Sequence, residues 1–270
     1  MAGNHDYIKP NSYYRTYQWK GPVTMFLTQK MEYVEFEELK TCVYGLSYCS
    51  REITEPLYDT IPAGGHQPIE ILLAHGGDEK HIPFKRSKLR NLGYRYVALG
   101  HIHRPGEIEK NKIYYAGSLE PTDKNDIGVH GYISGMIEGN KVDVRFVPFA
   151  KREYVHMEVP VSREMTGHDV KLAVSEAIKN RGVKNIYKII LTGVRDPEMM
   201  YDEQSFDVYG NILEVVDRTI PEYDYEHLKA ENEENLIGKY IESFQTGQGG
   251  DIEELALFEG VRALLETKRG

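Results

Sequence analysis

The chain has 270 residues, 40% of them apolar and 28% charged. That is enough for about two domains at ~100–200 residues each, and it excludes a disordered or fibrous protein. With 33 Lys and Arg against 42 Asp and Glu, the net charge of −9 argues against a protein that wraps nucleic acid over its whole surface. Two cysteines, Cys42 and Cys49, exclude a disulfide scaffold and a cysteine-rich zinc module.

The charge is uneven: residues 221–270 hold 12 acidic against 5 basic groups, which leaves 30 against 28 in residues 1–220. No apolar run approaches the ~18–20 residues of a membrane span. The first six residues lack the basic start and apolar stretch of a secretion signal. The expected location is cytoplasmic, with no membrane partner.

In chain order, Tyr33–Phe36 and Thr41–Tyr48 read as strands, and Ile69–Ala74 as a buried strand ending in His75-Gly76-Gly77. Phe84–Leu92 reads as a short basic helix closed by Gly93, and Tyr94–Leu99 as a second buried strand ending in Gly100-His101-Ile102-His103. Lys112–Tyr115 follows, then Tyr132–Ile137 and Val142–Phe146, which pair as a hairpin across Glu138-Gly139-Asn140. Strands separated by a helix, with polar groups at their carboxyl ends, predict a layered α/β domain with its site on one rim.

A boundary is expected near Pro148–Lys151. Beyond it Tyr154–Val159, the helix Thr166–Arg181, Ile186–Leu191 and Ile212–Val216 make a βαββ pattern that suits a small α+β accessory domain. Two amphipathic helices close the chain, one with Leu236, Ile237, Tyr240, Ile241 and Phe244 on its stripe. Gly247-Gln248-Gly249-Gly250 links it to the second, which carries Ile252, Leu255, Phe258 and Val261. The expected division is 1–150, 151–220 and 221–270.

Three short sequences carry chemistry: Gly3-Asn4-His5-Asp6, Ala74-His75-Gly76-Gly77 and Gly100-His101-Ile102-His103-Arg104-Pro105. On an extended segment His101 and His103 leave on the same side and can reach one metal centre. Asn4 beside His5 pairs a neutral oxygen donor with a titratable imidazole, which suits a metal-assisted phosphate site.

Their order and context resemble the calcineurin-like metallophosphoesterases, and in particular the SbcD-type DNA-repair exonuclease subunits. The segments Val97–Pro105, Tyr115-Ala116-Gly117-Ser118-Leu119-Glu120-Pro121 and Gly128-Val129-His130-Gly131-Tyr132 carry that closer likeness, over residues 1–160. The resemblance implies two divalent ions, usually manganese, held at the carboxyl ends of strands and polarising a phosphodiester. It implies Asn4, His75 and His101 on the second metal and His103 on the first. It further implies His5 as the catalytic histidine at the scissile phosphate, oriented by Asp6.

The family's Asp-x-His and Gly-Asp-x-x-Asp motifs precede Gly-Asn-His-Asp, which here stands at residue 3. They correspond to on the order of 60–80 residues at ~30 per strand–helix unit. The expectation is an N-terminally truncated member that binds at most one ion, has little nuclease activity by itself, and exposes unpaired apolar sheet edges that favour a homodimer.

Lys80, Lys85, Arg86, Lys88, Arg90 and Arg95 lie between the His75 and His101 motifs. Of these Lys85, Arg86, Lys88 and Arg90 are the candidate DNA-phosphate contacts, or else one solvated helix face. The two tail helices either fold back on the accessory domain or, by the resemblance, dock on an SbcC-type ATPase subunit. The function that emerges is a metal-dependent DNA exonuclease or endonuclease subunit in double-strand-break repair. The alternatives are a phosphatase or phosphodiesterase of the same superfamily acting on small esters, and a non-catalytic DNA- or partner-binding module.

Overall fold

A computed structural model describes residues 1–244 and 250–269, so residues 247–249 of the glycine-rich link lie outside the described residues. The chain forms two compact units, Met1–Tyr154 and Val155–Gly270.

The first unit runs α1 (Tyr13–Thr16), β1 (Glu32–Phe36), β2 (Thr41–Gly45), β3 (Ile69–His75), α2 (Arg86–Asn91), β4 (Tyr96–Gly100), β5 (Gly106–Glu109), β6 (Ile113–Tyr115), β7 (Gly131–Glu138) and β8 (Lys141–Pro148). Six strands make a mixed sheet in the order β1-β2-β3-β4-β6-β5. The pairings β2/β3, β3/β4 and β4/β6 are parallel, while β1 and β5 add antiparallel edges. Parallel pairing brings the carboxyl ends of β3 and β4 to one rim, where His75 and Gly100 are register partners. The β7–β8 hairpin forms a separate two-stranded ribbon.

The apolar runs read in the sequence supply this unit's core: Leu72, Val97, Leu99 and Ile113 are buried together with Tyr48 and Tyr58. Burial on β3 alternates, with Glu70, Leu72 and Ala74 on the covered face. Glu70 is accommodated because its Oε1 accepts from the Tyr44 hydroxyl at 2.7 Å and from the His66 N–H at 2.8 Å. Burial works to raise its pKa, but these bonds, with backbone N–H donors of Gly65 and Gln67, hold it below the usual carboxylate range.

The first eight residues lie along the end of β2. Ala2 N–H donates to Ser47 Oγ at 2.7 Å, Tyr48 N–H to the Ala2 carbonyl at 3.1 Å, and Ile8 N–H to the Tyr48 carbonyl at 2.7 Å. That stitching carries Asn4 to the rim.

The basic helix is shorter than the sequence predicts. Lys85 stays extended (φ −100°, ψ 123°) as its N-cap, and Phe84 packs against the core instead of starting the helix. The outer strands are β1 (Glu-Tyr-Val-Glu-Phe), on which Tyr33 and Phe36 are exposed, and β5 (Gly-Glu-Ile-Glu), so the edges carry both apolar and acidic side chains.

The second unit holds β9 (Tyr154–Val161), α3 (Gly167–Arg181), β10 (Ile186–Arg195), β11 (Ile212–Asp217), β12 (Ile220–Pro221), α4 (Tyr225–Glu231), α5 (Leu236–Phe244) and α6 (Asp251–Arg269). β10 is central, parallel to β11 and β12 and paired with β9. A capping box starts α3: Thr166 accepts from the Asp169 N–H while Asp169 accepts from the Thr166 N–H. Val170, Val174 and Ile178 then pack with Ile189, Leu191 and Phe206. Ile237, Ile241 and Val261 form the buried centre of the terminal helices. No described helix is long and apolar enough to cross a membrane.

Candidate metal centre

Asn4, His75 and His101 meet at the rim. His75 ends β3, and its Nε2 lies 2.8 Å from Asn4 Oδ1. The amide oxygen is only an acceptor, so the ring nitrogen donates. Asn4 is 4% exposed. The segment before it can approach only because residue 3 is glycine: a Cβ there would stand 2.6 Å from His75 Cε1 and 2.7 Å from Nε2. Burial, then the neighbouring His101, push the His75 pKa down to about 4, so its imidazole is neutral at pH 7, the form that binds metal.

His101 follows β4 and takes a positive φ of 94°, which turns its ring toward the loop after β3. Its centroid lies 5.2 Å from that of His75. Its Nε2 is 2.6 Å from Asp78 Oδ2, and the same carboxylate lies 2.8 and 2.9 Å from His81 Nδ1. Desolvation works against the Asp78 charge, but bonds from His101, the Lys80 N–H and His81 hold its pKa down at about 2. An ionised carboxylate only accepts, so His101 Nε2 and His81 Nδ1 are the donors in these bonds. Sequence reading missed Asp78 and His81. The available signal was Asp78-x-x-His81 directly after His75-Gly76-Gly77, and those glycines let the loop fold back: a Cβ on Gly76 (φ 140°) would collide with the His81 carbonyl.

His103 meets a different carboxylate from His101. Its Nδ1 lies 2.9 Å from Asp126 Oδ2, and Asp126 also accepts from the Thr122 hydroxyl at 2.8 Å and N–H at 3.0 Å. The positive φ at His101 breaks the extended geometry from which the sequence reading put both rings on one side. The Asp126 loop is anchored by His130, buried at 1% exposure. Its Nε2 meets the Asp126 carbonyl at 3.0 Å and its Nδ1 the Ser118 hydroxyl at 2.8 Å.

His5 is exposed. Asp6 accepts from the Gly3 N–H at 2.7 Å and from the Tyr14 hydroxyl at 2.7 Å, so it holds the loop that carries His5. Among the candidate DNA contacts, Arg86 forks onto Glu109 at 2.6 and 2.9 Å, Arg90 lies 3.6 Å from Glu109, and Lys88 lies 3.6 Å from Asp59. The Lys85 backbone N–H caps Asp59. Much of the positive charge on α2 is therefore compensated locally.

The donor set fits a divalent cation. Asn4 Oδ1 and His75 Nε2 stand at about the separation of neighbouring ligands around an ion with ~2.1 Å bonds, and binding there would require the His75 proton to move from Nε2 to Nδ1. Asp78, His81 and His101 form a second grouping, with ligand atoms all within 4.8 Å, that can also hold an ion. A mixed sheet with imidazoles, an asparagine and a carboxylate on its carboxyl rim is consistent with a metallophosphoesterase-type α/β fold.

Over 158 residues the chain is 24% identical to the protein named uncharacterized metallophosphoesterase YhaO of Bacillus subtilis (strain 168), a stretch covering 54% of this chain and 38% of that relative. The chain thus matches less than two fifths of the relative's length. No family model matches the chain. The likeness supports the calcineurin-like metallophosphoesterase superfamily, and with it a metal-dependent phosphoesterase at family level.

Proposed function

We propose that this chain contributes cation ligands to a DNA nuclease centre, in a metal-dependent exonuclease or endonuclease subunit acting on broken DNA ends. The observation that carries the reading is the 2.8 Å approach of Asn4 Oδ1 to His75 Nε2 at the ends of parallel strands, with His101 alongside. Asn4, His75 and His101 would hold one divalent ion, manganese in the first instance, and His103 would serve a second. A cation bound there supplies Lewis-acid polarisation of a phosphoryl oxygen. His5, exposed on the adjacent turn, is placed to donate a hydrogen bond or proton to the phosphate ester, and Asp6 fixes that turn.

The segments Gly100–Pro105, Ala116–Pro121 and Gly128–Tyr132 favour the nuclease branch over a phosphatase of small esters. The terminal helices favour a partner: Ile252 and Leu255 are exposed on α6. A groove of about 800 Å³ beside them is lined by Val194, Ile220, Tyr225, Leu257 and Phe258, with Glu222, Asp251, Glu254 and Glu259 also on its lining. Apolar surface with acidic groups of that kind suits a docking role toward an SbcC-type ATPase subunit.

The test compares manganese-dependent turnover of double-stranded DNA and of bis(p-nitrophenyl) phosphate by the protein and its His75→Ala variant. Cleavage of DNA that His75→Ala abolishes supports the reading. Turnover of the small diester alone favours the phosphodiesterase alternative, and turnover of neither favours a binding module.

A further inference from the structure

Residues 7–31 contain Lys9, Arg15, Lys20 and Lys30 and no acidic residue, in a chain whose net charge is −9. Interleaved with those cations is an aromatic run, Tyr13-Tyr14-Arg15-Thr16-Tyr17-Gln18-Trp19. None of the α1 side chains is buried, and Tyr13, Tyr17 and Trp19 are 69%, 40% and 42% exposed. The rings are nevertheless ordered against one another. Tyr13 and Tyr17 centroids lie 5.1 Å apart, Tyr17 meets Trp19 edge-on at 5.0 Å, and Trp19 stacks with Tyr14 at 6.5 Å and 13°.

This strip is joined to the candidate centre, because the Tyr14 hydroxyl donates to Asp6 Oδ2 at 2.7 Å. Asp6 closes the turn that carries Asn4 and His5. The Arg15 guanidinium donates to the carbonyls of Lys9 and Leu27, so its charge is held along the strip without an acidic partner. Lys9 lies 4.7 Å above the Tyr7 ring.

We infer that residues 13–19 are a stacking platform for single-stranded nucleic acid, delivering a strand to the His5–Asp6 turn. Exposed aromatic faces bind bases of any sequence, and the flanking cations track the phosphates. An exposed aromatic run with Arg15 within it and Lys9 and Lys20 on either side fits that occupant better than an apolar protein surface, where uncompensated cations would be costly to cover. The inference deepens the nuclease reading and takes from it the choice of nucleic acid as the ligand.

Trp19 is the only tryptophan of the chain, so its fluorescence reports on this strip directly. The experiment titrates the full chain with oligo(dT) and with the matching duplex, without added metal. In parallel it follows anisotropy of a labelled oligo(dT). The expected result is saturable quenching of Trp19 by oligo(dT), weaker with duplex. It should weaken about tenfold in Tyr13→Ala and in Tyr17→Ala, as removal of one stacking ring does, and recover in Tyr17→Phe. Both tyrosines are solvent-exposed, and a circular dichroism melt checks that each variant is folded.

Binding seen by anisotropy with no change at Trp19 places the strand elsewhere and overturns the inference while leaving the nuclease reading standing. Equal quenching by duplex, or self-association that buries Trp19 and excludes oligo(dT), overturns it as well. Manganese-dependent diester turnover, measured on the same samples, fails only if the proposed activity fails.

Discussion

Asp78 Oδ2 lies 2.6 Å from His101 Nε2, and the same carboxylate also receives His81. One ionised group thus fixes the orientation and tautomer of a ring that the sequence alone marks only as a histidine. Asp126 does the same for His103 through the opposite nitrogen, Nδ1. The two carboxylates thus meet their rings through different nitrogens, Nε2 on His101 and Nδ1 on His103.

Removing Asp78 should loosen that arrangement. For Asp78→Ala the expected loss in manganese affinity is about 10–100-fold, measured by calorimetry, with partial recovery in Asp78→Asn, whose side-chain oxygen still accepts. Nitrogen chemical shifts of His101 in the metal-free protein should move from a single Nε2–H tautomer toward a mixture. Unchanged shifts would show that Asp78 does not position the ring.

The glycine at position 3 gives a second handle. In Gly3→Ala the new methyl meets the His75 imidazole, so the ring must swing away from Asn4. Manganese affinity should fall about tenfold or more, the scale of a lost supporting contact, while far-UV circular dichroism stays unchanged. Wild-type affinity in this variant would separate His75 from the centre.

Much of this geometry was legible in advance, and the exceptions have physical causes. β3 and β4 stood out because each is a mostly apolar run that stops at a histidine–glycine step, and those steps proved to be the rim. β5 escaped because Gly106-Glu107-Ile108-Glu109 is four residues long with one apolar side chain. α4 escaped because its Tyr225–Glu231 sequence is polar and short, and its Asp224 cap becomes visible only in the bond to the His227 N–H. The positive φ at His101 could not be read from spacing, since at a non-glycine residue it is set by the surrounding loops.

Stability should carry the signature of Glu70. A carboxyl held below its ordinary pKa in the folded state stabilises the protein above the unfolded-state value, and that contribution is lost as pH falls through and below the usual carboxylate range. Glu70→Gln should cost about 1–3 kcal/mol at pH 7 and flatten the acid limb of the stability curve. Urea unfolding at pH 7 and pH 3.5 checks both. An identical acid limb in the variant would remove Glu70 as its cause.

On α6, Leu255→Glu should leave the melting temperature within about 2 °C, as expected for an exposed site. It should weaken capture of a matched SbcC-type ATPase by about tenfold, the effect of placing a charge in an apolar contact. Undiminished capture would take the docking surface away from this helix.

Calorimetric titration of manganese into the full chain tests the central claim most directly. The account predicts binding at the Asn4–His75–His101 site, abolished by His75→Ala and by Asn4→Ala, with both variants still folded. A flat isotherm, or binding indifferent to His75, would contradict it.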